Sequence, residues 1–256
     1  MGSKIWMERF MTVVRSLADI DGTNGVRFDG DVSFARIGNS ISAKGDFDND
    51  GLFDLAFGGL GVGHGTLVFG SAFAGDAEID LENRSSFAGF EASNIAAGPT
   101  RLNISAGFVG DINNDGIDDI AFSSFSERNL VVDNFGNISE STGLFGGVTA
   151  FIFGSTTPSG DRNLNLFSSN QGIKYLGINE SGSFTPGSGE TIASIGDING
   201  DGIADAIIGQ RNAEARGTND VGRAFVVFGK TGNTEAAKEL GAGLAKGFCS
   251  EVCPLA

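Results

Sequence analysis

The sequence predicts an all-β fold built from three repeated units, on the strength of three observations. First, a nine-residue acidic loop recurs three times, each time between two β-like apolar segments: Asp46-Phe-Asp48-Asn-Asp50-Gly51-Leu52-Phe-Asp54, Asp111-Ile-Asn113-Asn-Asp115-Gly116-Ile117-Asp-Asp119, and Asp197-Ile-Asn199-Gly-Asp201-Gly202-Ile203-Ala-Asp205. Second, a later apolar run after each loop ends in Phe-Gly, at Phe69-Gly70, Phe153-Gly154 and Phe228-Gly229. Third, the 256 residues include 41 glycines and only 4 prolines, and the Val, Ile, Leu and Phe between the glycines fall in short β-like runs. That composition suits many tight turns joining short strands rather than a disordered chain.

The loops carry the chemistry. Oxygen side chains at positions 1, 3 and 5 converge when the backbone curls, and glycine at position 6 permits the sharp turn. The carbonyl of position 7 (Leu52, Ile117 and Ile203) adds an oxygen, and the carboxylate at position 9 (Asp54, Asp119 and Asp205) closes the cage. The expected ion is Ca²⁺, about three per chain. No loop offers a soft ligand, which disfavours zinc and copper, and Mg²⁺ prefers fewer protein oxygens and more retained water. Ordinary turns also use Asp, Asn and Gly, but three copies in the same order are not explained that way. At the ligand positions loop one carries four carboxylates, whereas loops two and three carry three each plus Asn113 or Asn199. Loop one is therefore expected to bind most tightly.

An EF-hand opens with nearly the same residues but closes with Glu at position 12 and continues into a helix. Position 12 here is Phe57, Phe122 and Ile208, each in a β-rich exit segment, so the EF-hand is rejected. The nonapeptide of a calcium β-helix is missing as well. Short segments ending in glycine lead into the loops: Ile41-Ser-Ala-Lys-Gly45, Ile104-Ser-Ala-Gly-Phe-Val-Gly110 and Thr191-Ile-Ala-Ser-Ile-Gly196. With the Phe-Gly strands downstream, these flanks and loops resemble the FG-GAP repeat of integrin α-subunit propellers and of bacterial surface proteins. The Gly-Ala-Pro of that family is degenerate, reading Gly58-Gly-Leu60, Ser123-Ser-Phe125 and Gly209-Gln-Arg211.

The resemblance implies β-propeller blades of four antiparallel strands, each holding calcium in a hairpin loop. The fourth strand is read at Gly25-Val-Arg-Phe-Asp-Gly30 before loop one and at Gly172-Ile-Lys-Tyr-Leu-Gly177 before loop three, with a fainter counterpart near Ser86-Phe-Ala-Gly-Phe90. Blades are placed at 17–74, 75–158 and 159–232, between a non-repeat segment 1–16 and a tail 233–256. Loop spacing is uneven (111−46 is 65; 197−111 is 86), owing to a polar insertion between Ser123 and Gly147. In the tail, Thr234-Glu-Ala-Ala-Lys-Glu-Leu240 reads as a short helix stopped by Gly241. Closed propellers need four to eight blades, so three imply an open arc, for which a fragment of a longer protein is the preferred reading over a chain completed by further blades or by homo-oligomerisation.

The formal net charge of −15 has a local cause, since ten of the carboxylates sit at ligand positions and three Ca²⁺ would offset six charges. No basic cluster exists for nucleic acid, and no apolar stretch is long enough for direct membrane insertion. Met1–Ser16 lacks a signal-peptide core. Cys249 and Cys253 lie together in the tail and do not form a disulfide framework. The single histidine, His64, reads as a surface-loop residue in Gly61-Val-Gly-His64-Gly65, without nucleophile or base partners; an enzyme is not expected. Four Asn-x-Ser sequons, at Asn83, Asn103, Asn137 and Asn179, are available for glycans in a secretory pathway. The expected function is a calcium-stabilised extracellular or cell-surface module for adhesion or for binding a protein or glycan. The alternative is a non-catalytic accessory module or fragment of a larger secreted hydrolase or lyase. Extracellular modules bind calcium at roughly 10⁻⁴ to 10⁻³ M, a strength that cytosolic calcium does not satisfy and a periplasmic or extracellular setting does.

Overall fold

A computed structural model of the chain describes residues 16–30, 36–59, 64–73, 78–81, 83–93, 103–125, 129–132, 138–141, 147–158, 160–163, 168–176, 189–211, 213, 221–232, 237–239 and 252–254. Among them β structure dominates, and the helical pieces are 3-10 turns of three or four residues. No helix among the described residues is long and apolar enough to cross a membrane. After β1 (Arg27–Asp29), the chain runs an antiparallel meander through β2 (Ser40–Gly45), β3 (Asp54–Gly58) and β4 (His64–Val68). It leaves through β5 (Glu78–Asp80) and returns as β6 (Gly89–Ser93) to pair with β4, giving four antiparallel strands that a later parallel strand extends to a first sheet of five.

The second sheet repeats this order with β7 (Asn103–Gly110) and β8 (Asp119–Phe125). The polar insertion then folds as a separate antiparallel hairpin of β9 (Asn129–Val132) and β10 (Ile138–Ser141). The sheet resumes with β11 (Val148–Ile152) and, after β12 (Arg162–Asn163), which joins β6 of the first sheet, takes β13 (Gly172–Leu176) on the edge of β11. The third consists of β14 (Thr191–Gly196), β15 (Asp205–Gln210), β16 (Arg223–Val227) and, past β17 (Ala237–Glu239), β18 (Val252–Pro254). Each first hairpin carries a register shift just before its acidic loop, between Ala43 and Gly45, Phe108 and Gly110, and Ser194 and Gly196. An extra residue there bends the strand and aims it into the loop.

The sheets lie side by side through their first strands, β2 against β7 and β7 against β14. Serines stitch the neighbours: the Ser40 and Ser42 hydroxyls accept the backbone N–H groups of Ala106 (3.0 Å) and Phe108 (2.9 Å), and Ser105 donates to the Glu190 carbonyl at 2.7 Å. Between sheets one and two, Ala56, Leu67 and Phe90 meet Ile104, Phe108, Phe122 and Ile152 in one buried cluster. Between sheets two and three, Val109, Ala121 and Phe151 meet Ala206, Ile208 and Phe225 in another. β7 is accordingly buried on both faces, which is why its sequence reads as a nearly continuous apolar run.

Three readings from sequence are corrected. The fourth strand follows its loop rather than preceding it: Gly172–Leu176 pairs with β11 of the second sheet, Gly89–Ser93 closes the first, and Arg27–Asp29 belongs to neither. The sheets are therefore offset from the repeat limits read along the chain, because the open edge of the third strand takes the second β segment to follow it, after a short strand (β5, β12 or β17) that pairs elsewhere. In the tail, Ala237–Glu239 is a strand parallel to β13, so an available sheet edge overrides local helix propensity; residues 233–236 and 240 lie outside the described residues. His64 opens strand β4, opposite Ser93, rather than sitting in a loop. Met1–Arg15, Asn137, Asn179 and Cys249 lie outside the described residues, while the Asn83 side chain caps a 3-10 turn by accepting from the Ser85 backbone N–H.

Candidate metal centres

Each acidic loop joins the first two strands of its sheet, and its backbone is organised by its own carboxylates. Position 1 accepts backbone N–H bonds from positions 5 and 6: Asp46 from Asp50 and Gly51 (3.0 and 2.9 Å), Asp111 from Asp115 and Gly116 (3.0 and 2.8 Å), Asp197 from Asp201 and Gly202 (3.1 and 2.8 Å), with a third from Gly200 at 2.6 Å in loop three. Position 5 accepts from the N–H of position 7, at 2.8 Å from Leu52, 3.0 Å from Ile117 and 2.9 Å from Ile203. The curl needs positive φ at positions 4 and 6, met by Asn49, Asn114 and Gly200 and by Gly51, Gly116 and Gly202. Asn and Gly are the residues that enter this region most readily.

The position-9 aspartates do something the sequence reading did not foresee. Asp54, Asp119 and Asp205 are fully buried. One oxygen of each accepts the N–H of loop position 2 (Phe47 2.7 Å, Ile112 2.9 Å, Ile198 2.9 Å). The other accepts the N–H of the Phe-Gly glycine, at 2.8 Å from Gly70, Gly154 and Gly229 alike. Each position-9 carboxylate thus locks its loop to the end of the third strand, whatever it also gives an ion through remaining lone pairs. Burial pushes Asp54 up to about 6 and Asp119 up to about 8, against the lowering effect of these N–H bonds. The Phe-Gly glycines are read in the sequence as strand ends, but their partnership with position 9 has no local signature.

The loops differ at position 3. In loops two and three the amide of Asn113 or Asn199 donates to the position-5 carboxylate (2.8 Å to Asp115, 3.0 Å to Asp201), while its oxygen accepts the position-5 N–H at 2.9 Å in both. An amide thus neutralises part of the crowding. Loop one has Asp48 there, which has no proton to give. Asp46, Asp48 and Asp50 each bring a carboxylate oxygen within 4.8 Å of the others, and Asp48 Oδ1 is buried with no hydrogen-bond partner. Burial first, then repulsion from Asp50, holds the Asp48 carboxyl above the usual range. An oxygen-only, multiply anionic cluster with an orphaned buried acceptor fits a hard divalent cation.

At the opposite end of the sheets a cleft of about 620 Å³ opens where β14 and β16 begin, lined by Asn39, Ser105, Glu190, Gln210, Arg211 and Arg223 among others. Arg211 and Glu190 pair across it at 2.8 Å. A scan against protein-family models gives no match to this chain, and a search of curated proteins gives none either.

Proposed function

We propose that this chain is a calcium-stabilised β-propeller module of the FG-GAP type, working outside the cell in adhesion or ligand binding. The observation that carries the reading is the buried, partnerless Asp48 Oδ1 within the Asp46–Asp48–Asp50 cluster. A folded loop that leaves a buried acceptor unpaired among like charges costs free energy, and a cation supplied from solution removes that cost. Asp46, Asp48 and Asp50 would hold it in loop one; Asp111, Asn113 and Asp115, and Asp197, Asn199 and Asp201, offer weaker sites of the same design. Bound calcium supplies positive charge that ties the two strands of each hairpin, so its binding free energy becomes folding free energy. Three meanders packed through their first strands support the propeller reading. The Arg211–Glu190 cleft offers polar groups for a ligand at the end away from the loops.

The reading is tested by thermal melts of the full chain with chelator, with millimolar Ca²⁺ and with equimolar Mg²⁺. A stabilisation of about 1.4 kcal/mol per site at ten times the dissociation constant makes a rise of several degrees the expected result with Ca²⁺, little reproduced by Mg²⁺. Identical melting curves in all three would overturn it.

A further inference from the structure

The short strand β1 occupies the place of an outer strand whose sheet is supplied from elsewhere. After the second Phe-Gly, β12 reaches back to pair in parallel with the outer strand β6 of the preceding sheet; after the third, β17 does the same to β13. After the first Phe-Gly, β5 pairs in parallel with β1, with Phe28 opposite Ile79 as Tyr175 is opposite Lys238. By this rule β1 is the outer strand of a sheet standing in front of the first. Packing agrees. Val26 and Phe28 enter the cluster on the front of sheet one, with the Phe28 ring 4.8 Å from Phe57, as Ile173 and Tyr175 enter the cluster between sheets two and three. β6 and β13 are each held on their other edge by a third strand, β4 or β11, whereas β1 has only β5 among the described residues.

At their first strands and acidic loops the two outer sheets carry matching exposed positions. At loop position 2, Phe47 and Ile112 are 0% and 5% exposed beneath the next sheet, but Ile198 is 61% exposed. On the front of the first strands, Ala106 is 6% exposed and its equivalent Ile41 is 59% exposed. Both within-chain interfaces also place the N–H after Phe-Gly on the carbonyl of position 2, Ser155 on Phe47 and Lys230 on Ile112, each at 2.9 Å. The equivalent donor for the Ile198 carbonyl is Ser71.

We infer that β1 of one copy completes the third sheet of a second copy, pairing antiparallel with its β16, so that two chains close head to tail into a six-sheet ring. Six lies within the range in which such arcs close, and a head-to-tail contact made twice around a two-fold axis leaves no open end. Transferring the β11–β13 register, in which Phe151 faces Ile173 and Val148 faces Leu176, sets Val226 opposite Val26 and Arg223 opposite Asp29, an apolar pair and an opposite-charge pair. β18 holds that edge of β16 within one chain, with Pro254 opposite Phe225. Pro254 has no N–H to give the ladder, so β1, already ordered against β5 and sheet one, displaces it.

Sedimentation of the full chain in calcium tests this, with a mass near twice 26.4 kDa as the expected result. Ile41→Asp and Ile198→Asp each place a charge in the contact and should weaken dimerisation at least about thirty-fold. Mixing the two variants restores one undamaged contact per pair and should recover dimers, which also shows that each variant is folded. Asp29→Arg and Arg223→Glu should weaken dimerisation singly and restore it when combined in one chain. A monomer at all concentrations, open-ended polymers, dimers indifferent to Ile41→Asp and Ile198→Asp, or a charge swap without rescue would each overturn the inference. Ile41, Asp29 and Arg223 lie outside the acidic loops, so the mass of their variants reads the inference separately from calcium uptake.

Discussion

Replacing Asp48 by Asn gives loop one the chemistry of loops two and three, and should have opposite effects without and with calcium. In loops two and three the position-3 amide lies 2.8 to 3.0 Å from the position-5 carboxylate; Asp48 instead keeps one oxygen buried and unpaired beside Asp50. Removing a buried unsatisfied acceptor recovers roughly 1–3 kcal/mol, and a hydrogen bond to a charged group adds to it. A net gain of about 2 kcal/mol is expected for the calcium-free protein. For a chain of this size that corresponds to a rise in melting temperature of roughly 4–8 °C. With calcium the variant lacks one ligand carboxylate, and a loss of about tenfold in affinity at that site, about 1.4 kcal/mol, is expected. Scanning calorimetry of wild type and Asp48→Asn, in chelator and in 10 mM Ca²⁺, reads both effects. A variant less stable than wild type in chelator, with an unchanged calcium-induced shift, would refute the reasoning.

Other expectations follow from the same geometry. Asp119→Ala leaves the buried N–H groups of Ile112 and Gly154 unpaired and should cost about 3 kcal/mol or more in denaturant unfolding without calcium; near-neutral behaviour would contradict the locking role. The carboxyls of Asp54 and Asp119, pushed by burial to about 6 and about 8 from the ordinary 3.8, hold their proton more tightly folded than unfolded. Their stabilising contribution is thus complete below about pH 4 and is lost as pH rises toward 8. The melting temperature in chelator should fall across that window and the fall should flatten with calcium, which favours the ionised form; a rise with pH in chelator would be inconsistent. Ser42→Ala removes the acceptor of the Phe108 N–H at 2.9 Å and should cost about 1–2 kcal/mol by loosening sheet one from sheet two, seen as a lower urea midpoint.

The acidic loops were legible because their chemistry is local. Positions 1, 4, 5 and 6 bond or bend within five residues of one another, so Asp and Gly in that order announce the turn, and the apolar runs around it announce strands β2–β3, β7–β8 and β14–β15. What is decided at a distance was not legible. The position-9 aspartates meet glycines 16, 35 and 24 residues away, and nothing near Asp54, Asp119 or Asp205 signals that partner. Gly172–Leu176 lies just before the third loop in sequence, yet the free edge of β11 claims it. Ala237–Glu239 likewise reads as helix by local propensity and becomes a strand because β13 offers an edge.

The most direct test of the central claim is calorimetric titration of the chelator-stripped full chain with Ca²⁺, repeated with Asp48→Asn. The account predicts uptake of about three ions, the tightest lost or weakened in Asp48→Asn while the other two persist. Absence of calcium uptake, or a first binding event unchanged by Asp48→Asn, would mean that the Asp46–Asp48–Asp50 loop is an acidic turn and not a metal centre.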